Sequence, residues 1–210
     1  MRIAIPKGRL FECVMQVLRD SGMHFQIFDP RNYTLETSVS GVSGKIVKVR
    51  AIPQLIALQN FDVGFCGLDL VREADYENVI PIFDLGLQPV ELVVAVHASQ
   101  IDIIKDPPRR PLLIATEYEH IASEWALEHN LAHIVIQTYG STEGYAPQDA
   151  DIVFDCRETG VTLGANGLVV IDHIMKSTTY LVANRDMSQE RKEEIEILVG
   201  QLKSRKGVSI

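Results

Sequence analysis

Short apolar runs, closed by glycine or proline turns and followed by residues at helical spacing, restrict this chain to alternating α/β architectures. Residues 2–5 read as a strand closed by Pro6-Lys7-Gly8, and Phe11, Val14, Met15 and Leu18 then share a helical face that Gly22 ends. Leu35, Thr37 and Val39 alternate, as Ile46, Val47 and Val49 do less regularly, and Gly41 and Gly44 between them predict a hairpin. Pro53 sits at a helix start before Leu55, Ile56 and Leu58. Residues 63–66 read as a buried strand that turns at Gly67 into a short helix from Leu68. Further strands are predicted at 92–96, 112–115, 134–136, 152–154, 168–171 and 180–183, with a loop at 101–110 around Pro107-Pro108. A helix runs through Ala122, Trp125 and Ala126. Ser188 caps a final helix with the stripe Ile195, Leu198, Val199 and Leu202.

The 210 residues hold no internal repeat and no long Gly/Ser linker, so two α/β lobes of about 90 residues are expected. The predicted division is 1–90 with 184–210, and 91–183. Crossings are expected at Gln88-Pro89-Val90-Glu91 and at 179–184, leaving a cleft for a small ligand. Hydrophobic residues at 46% and charged residues at 23% exclude disorder and fibrous repeats. A net charge of −8 argues against a non-specific nucleic-acid binder, so an anionic ligand would need cations gathered in one place. No apolar run reaches the roughly 18 residues of a membrane span, and Arg2, Lys7 and Arg9 argue against a signal peptide; a cytoplasmic protein without membrane contact is expected. Cys13, Cys66 and Cys156 form neither a disulfide framework nor a zinc pattern.

The sharpest constellation is Asp155-Cys156-Arg157-Glu158-Thr159-Gly160-Val161-Thr162-Leu163, fed by an apolar strand. Ligands bind at the carboxyl edge of parallel strands. Gly160 permits close backbone approach, and the N–H groups from Thr159 to Leu163 would form a phosphate nest. Asp155 and Glu158 would repel a phosphate and so require ribose hydroxyls or a magnesium ion. A phosphorylated sugar fits all parts; an ordinary strand-to-helix turn with capping threonines is the plain alternative. Lys7-Gly8-Arg9 after the first strand suits a polyanion clamp, or else two solvated cations. Gly140-Ser141-Thr142-Glu143-Gly144 is another small-residue loop or a plain turn. Gly64 and Gly67, before Asp69, would let a base or ribose approach, or serve tight packing. His129 and His133 have metal-ligand spacing, but Asn130 between them reads as a helix end in the left-handed conformation.

Together these segments resemble the ATP phosphoribosyltransferase family of histidine biosynthesis. The resemblance runs through Arg2-Ile3-Ala4-Ile5-Pro6-Lys7-Gly8-Arg9-Leu10, Val49-Arg50-Ala51-Ile52-Pro53, 62–69, Ile114-Ala115-Thr116-Glu117-Tyr118, Gly140-Ser141-Thr142-Glu143 and 155–168, in family order over nearly the whole chain. It implies two periplasmic-binding-protein-like (type II) lobes joined by a double crossover, with the active site in the cleft. The lobe of 1–90 and 184–210 would take the nucleotide, and that of 91–183 the phosphoribosyl pyrophosphate. The implied reaction is attack of ATP N1 on C1 of the donor, with loss of pyrophosphate and a requirement for Mg2+. The length resembles the short form, whose catalytic chains form homodimers and work with a histidyl-tRNA-synthetase-like regulatory subunit.

Carried over residue by residue, Asp155, Glu158, Thr159, Gly160, Val161, Thr162 and Leu163 would bind the donor. Thr159 to Thr162 would take its 5-phosphate, and Asp155 and Glu158 its ribose, directly or through magnesium. Lys7, Arg9, Arg50 and Arg31 would carry the pyrophosphate and triphosphate charge. Lys7, Gly8, Arg9, Gly67, Asp69 and Glu143 would contact nucleotide. One departure is Gly164, where the family carries Arg or Lys; another is the acid Glu91. Two other readings stand beside the enzyme: a non-catalytic or degenerate ligand-sensing paralogue of the same fold, and another phosphoribosyltransferase class, which would pair two acids where Phe154 precedes Asp155.

Overall fold

The structure, a computed structural model, describes residues 1–26, 29, 31–37, 39–157 and 161–206. Its strands are β1 (Arg2–Lys7), β2 (Phe25–Gln26), β3 (Thr34–Thr37), β4 (Ser43–Lys48), β5 (Val63–Gly67), β6 (Val79–His97), β7 (Leu112–Thr116), β8 (His133–Gln137), β9 (Ile152–Arg157) and β10 (Leu168–Asn184). Its helices are α1 (Phe11–Asp20), α2 (Ile52–Ala57), α3 (Leu68–Ala74), α4 (Glu119–Glu128), α5 (Val161–Ala165) and α6 (Gln189–Lys206). Met1–Gln88 with Thr178–Ile210 forms one compact unit, and Pro89–Ser177 the other.

In the first unit β1 is central. It runs parallel to β4 over six residue pairs and parallel to β5 on its other side. β3 pairs antiparallel with β4, and β2 with β3. The end of β10 closes the far side, antiparallel to β5. Ile3 and Ile5 are fully buried, as a strand covered on both faces requires, and pack with Val14 and Leu18 of α1 and Ile195, Leu198 and Leu202 of α6. The hydrophobic period of α1 stops at a Schellman turn: the Met23 N–H reaches Leu18 O at 2.9 Å and the Gly22 N–H reaches Arg19 O at 3.0 Å, with Gly22 at φ +85°. Ser188 accepts the N–H of Arg191 at 3.3 Å, the N-cap expected from the sequence.

In the second unit β7 lies parallel to both β8 and β9, and residues 91–95 of β6 run antiparallel to β9. One face packs Ile114, Trp125, Ile152 and Phe154, with the rings of Trp125 and Phe154 edge to face at 5.2 Å. The other face packs Val93, Ala95 and Val153 against Leu163 of α5. Asp151, just ahead of β9, accepts both Arg110 Nη atoms at 2.6 and 2.8 Å and the Leu113 N–H at 2.9 Å, tying the start of β7 to that of β9. The guanidinium beside it holds the Asp151 carboxyl below its ordinary range.

The expected strands at 92–96, 168–171 and 180–183 are parts of two longer ones. β6 has 19 residues and β10 has 17, and each crosses from one unit to the other. The breakers Pro81, Gly86 and Pro89 hide β6 in the sequence. The chain passes them by placing Gly86 (φ +69°) and Gln88 (φ +48°) in left-handed conformations. In β10 the polar stretch around Ser177 and Thr179 is buried, with Thr179 Oγ1 donating to Leu87 O at 3.2 Å.

A Cβ on Gly64 would lie 2.5 Å from Ile52 Cγ2 and 3.2 Å from Ala4 Cβ. Gly64→Ala is therefore expected to destabilise the protein by about 1–3 kcal/mol in urea unfolding, through overpacking. Asp151→Asn is expected to cost stability at pH 7. A carboxyl whose folded pKa is depressed stabilises above its unfolded pKa, so the gap to wild type should close as the pH falls below about 4.

Candidate active site

Parallel strands end at one edge, and this gathers the cationic motifs of the first unit. The register sets Lys7 of β1 opposite Lys48 of β4, and the pairing of Ala4 with Gly64 brings Gly67 of β5 to the same level. Three turns leave this edge: Lys7-Gly8-Arg9, the 3₁₀ turn Val49–Ala51 that carries Arg50, and Gly67-Leu68-Asp69. Gly8 adopts φ +95°, which a side chain resists, and its carbonyl accepts the Phe11 N–H at 2.9 Å as α1 begins. Lys7, Arg9 and Arg50 are exposed, whereas Asp69 is buried at 6% exposure.

Tyr33 is a member of this edge that sequence reasoning missed. Lys7 Nζ donates to its hydroxyl at 3.0 Å and lies 4.8 Å from its ring centroid. The ammonium pulls the phenol pKa below its ordinary value. Among the described residues no carboxylate pairs with Lys7, so its charge remains available to an anion. Arg31, two residues before Tyr33, is 92% exposed and pairs with Asp29 at 3.4 Å, so the structure does not draw its side chain into the cation group.

The carboxyl edge of the second unit is acidic. Thr116 of β7 stands opposite both Gln137 of β8 and Phe154 of β9, so the segments that follow these three residues leave together. They carry Glu117, Glu143 and Asp155. Gly140 (φ +108°) and Ser141 (φ +52°) turn the loop after β8, and a 2.7 Å contact between the buried Thr138 and Thr142 hydroxyls fixes it. Burial raises the Asp155 pKa to about 6, assisted by the charges of Glu143 and Glu117. Glu117 was not singled out as a site residue, because only the sheet register brings it near Asp155. Tyr118 beside it meets Cys156 Sγ at 3.1 Å through its hydroxyl.

Of the predicted donor loop, Glu158, Thr159 and Gly160 lie outside the described residues. Val161, Thr162 and Leu163 open α5. Val161 and Thr162 are exposed, and the Leu163 side chain is buried in the core, leaving only its backbone for a ligand. Gly164 faces open space, with nothing within 4 Å of an added Cβ, so a longer side chain would fit there. Among the described residues no three His, Cys, Asp or Glu side chains form a metal-holding group. Asp155 does offer a hard carboxylate oxygen of the type Mg2+ prefers, in surroundings that disfavour its bare charge. Asp155 is thus the one described carboxylate of the predicted donor segment that could hold a magnesium ion. His129 contacts Trp125 O through Nδ1, His133 contacts Leu131 O, and Asn130 between them is left-handed at φ +56°.

Known proteins match this chain over most of its length. The chain is 33% identical over 207 residues to the ATP phosphoribosyltransferase of Helicobacter hepaticus, covering 97% of each. It is 34% identical over 211 residues to that of Methanocaldococcus jannaschii, covering 96% of this chain and 71% of the other. Among solved structures, the ATP phosphoribosyl transferase (HisG:HisZ) complex from Thermotoga maritima matches with TM-score 0.85 and 25% identity, over 97% of each chain. The GluR0 ligand-binding core and the Bordetella pertussis BvgS VFT2 domain match at TM-scores 0.55 and 0.57 with 11% and 12% identity, covering 98% and 97% of this chain and 93% and 87% of theirs. They share the two-lobed, periplasmic-binding-protein-like (type II) fold. The HisG family model, described as ATP phosphoribosyltransferase, matches residues 48–204, and the chain belongs to that family.

Proposed function

We propose that this chain transfers the 5-phosphoribosyl group of phosphoribosyl pyrophosphate to N1 of ATP, the first step of histidine biosynthesis. The observation that carries the reading is the family match over residues 48–204, which spans Arg50, the loop at Glu143 and the segment from Asp155 through α5. The sheet edge of each unit, taken by itself, supports the reading. One is rich in cations for the phosphates, and the other offers carboxylates for ribose hydroxyls. Family membership favours the enzyme over a ligand-sensing paralogue, since the fold alone serves both.

The bond formed joins adenine N1 to C1 of the ribose, and the bond broken releases pyrophosphate with its electron pair. Adenine N1 already holds a lone pair, so no side chain is assigned as obligatory general base. Catalysis then rests on orientation and charge. Lys7, Arg9 and Arg50 neutralise the pyrophosphate and triphosphate, and Lys7 is steadied by Tyr33. Arg31 joins them only if its side chain swings away from Asp29. Thr162 and the first N–H groups of α5 receive the 5-phosphate, and Asp155 holds the ribose hydroxyls. Asp155, together with substrate oxygens, would hold Mg2+, which would supply charge neutralisation of the leaving group. Glu143, Gly67 and Asp69 border the nucleotide.

The solved T. maritima relative is a HisG:HisZ complex, and this supports a separate HisZ-like subunit here; a catalytic homodimer and a regulatory role for that subunit belong to the same proposal. No described helix is long and apolar enough to cross a membrane. The cytoplasm, where ATP is plentiful, is the compartment this reading implies.

Mixing ATP, donor and magnesium with pyrophosphatase, with and without a HisZ-like subunit, tests the reading: accumulation of N1-(5-phosphoribosyl)-ATP is expected, and no product in either case would refute it. Arg50→Ala is expected to lower kcat by about 10²–10³ with the fold intact by circular dichroism, as removal of a transition-state charge partner does. The raised pKa of Asp155 gives a second test, with the opposite sign to Asp151. Its protonated form is favoured in the fold, so its contribution is present near pH 4 and is lost as the pH rises through about 6. Relative to Asp155→Asn, wild type should lose about 2–3 kcal/mol between pH 4 and 7.5 in urea unfolding.

A further inference from the structure

Glu91, Arg157 and His173 meet on three strands of the second unit. The antiparallel register of β6 and β9 sets Glu91 opposite Arg157, the last residue of β9. Arg157 donates from Nε at 3.0 Å and from Nη2 at 2.8 Å, both to Glu91 Oε2. The other Glu91 oxygen, Oε1, meets His173 Nδ1 of β10 at 3.0 Å. The Arg157 and Glu91 side chains are 30% and 23% exposed.

The hydrogen bonding of this group is unequal. Both carboxylate oxygens are engaged, whereas Nη1 of Arg157 has no partner among the described residues. A cross-strand ion pair serving stability alone would need no third member, and at this exposure it would add little. The guanidinium is instead held along one edge and keeps donors to spare, an arrangement suited to an outside anion. Strand alternation puts Arg157 on the face shared by Asp155 and Val153, and Val153 packs against Leu163 of α5. The spare N–H groups therefore lie on the α5 side of the sheet, at the carboxyl end of β9 and two residues beyond Asp155.

We propose that Arg157 contacts the 5-phosphate of the ribosyl donor, and that Glu91 and His173 are positioning residues that fix its guanidinium. The proposal rests on the reading above that the start of α5 receives this phosphate. The cation would add a fixed, planar donor beside the Thr162 hydroxyl and the backbone of α5, which are neutral groups. Glu91 offsets the guanidinium charge when no donor is bound.

The test compares Arg157→Gln, Glu91→Gln and Thr162→Ala in the full chain, with any regulatory subunit that activity requires. Steady-state kinetics give KM for donor and for ATP, and calorimetry gives the affinity for ribose 5-phosphate and for pyrophosphate. Arg157→Gln should raise the donor KM about 10- to 100-fold, the value of a charged hydrogen bond, and weaken ribose 5-phosphate by a similar factor. The KM for ATP and the affinity for pyrophosphate should stay unchanged. Glu91→Gln should raise the donor KM by a smaller factor, about 3- to 10-fold, with kcat unchanged, because the guanidinium remains but is no longer held. An Arg157→Gln enzyme with wild-type donor KM, beside a Thr162→Ala enzyme impaired for donor, would overturn the proposal and leave the α5 reading standing. Wild-type donor binding in both would remove the α5 reading and the proposal with it. If Arg157→Gln does not fold, Arg157→Lys decides, since it keeps the charge but loses the fork: an unchanged donor KM overturns the proposal, and a raised one supports it.

Discussion

Parallel strand pairing is the constraint on which the site depends. Strands that run side by side in one direction deliver their following turns to one edge, whatever the distance between them in sequence. In the first unit this brings Lys7, Arg9 and Arg50 to a common level through the β4-β1-β5 register. In the second it brings Glu117, Glu143 and Asp155 together through β8-β7-β9. A protein with net charge −8 can thus offer a local cationic edge and a separate acidic one.

The packing beneath these edges keeps them fixed. Gly64 lets β5 sit close to Ile52 and Ala4, at the first turn of α2 and on β1. Asp151 ties two strand starts with three hydrogen bonds, and the Trp125–Phe154 pair fills the core under β9. Gly64 and Asp151 lie back from the carboxyl edges, where Lys7, Arg9 and Arg50 remain exposed, and Phe154 packs directly before Asp155. The cost of ordering the chain is met in the core, so the edges are left to bind.

Much of the fold was legible in sequence because local periodicity encodes it. The stripe of α1, the hairpin of β3 and β4, the buried runs of β1, β5 and β9, and the Ser188 cap are each written in a few adjacent residues. The full lengths of β6 and β10 are hidden in the sequence because Pro81, Gly86, Pro89 and the polar run before Thr179 imitate loops. Their pairing is a tertiary fact that overrides local propensity. Arg31 illustrates the converse: only the family resemblance singled it out, and in the structure its side chain pairs with Asp29.

The sequence by itself determined the alternating α/β order, the glycine-bearing turns and the chemical type of each motif, since these depend on neighbours a few residues apart. Tertiary structure decided which motifs share an edge. It set Tyr33 against Lys7, gave Asp155 its raised pKa in the company of Glu117 and Glu143, and closed Glu91, Arg157 and His173 into one group. Those outcomes depend on strand register across tens of residues, and a one-residue slip would send each side chain to the opposite face.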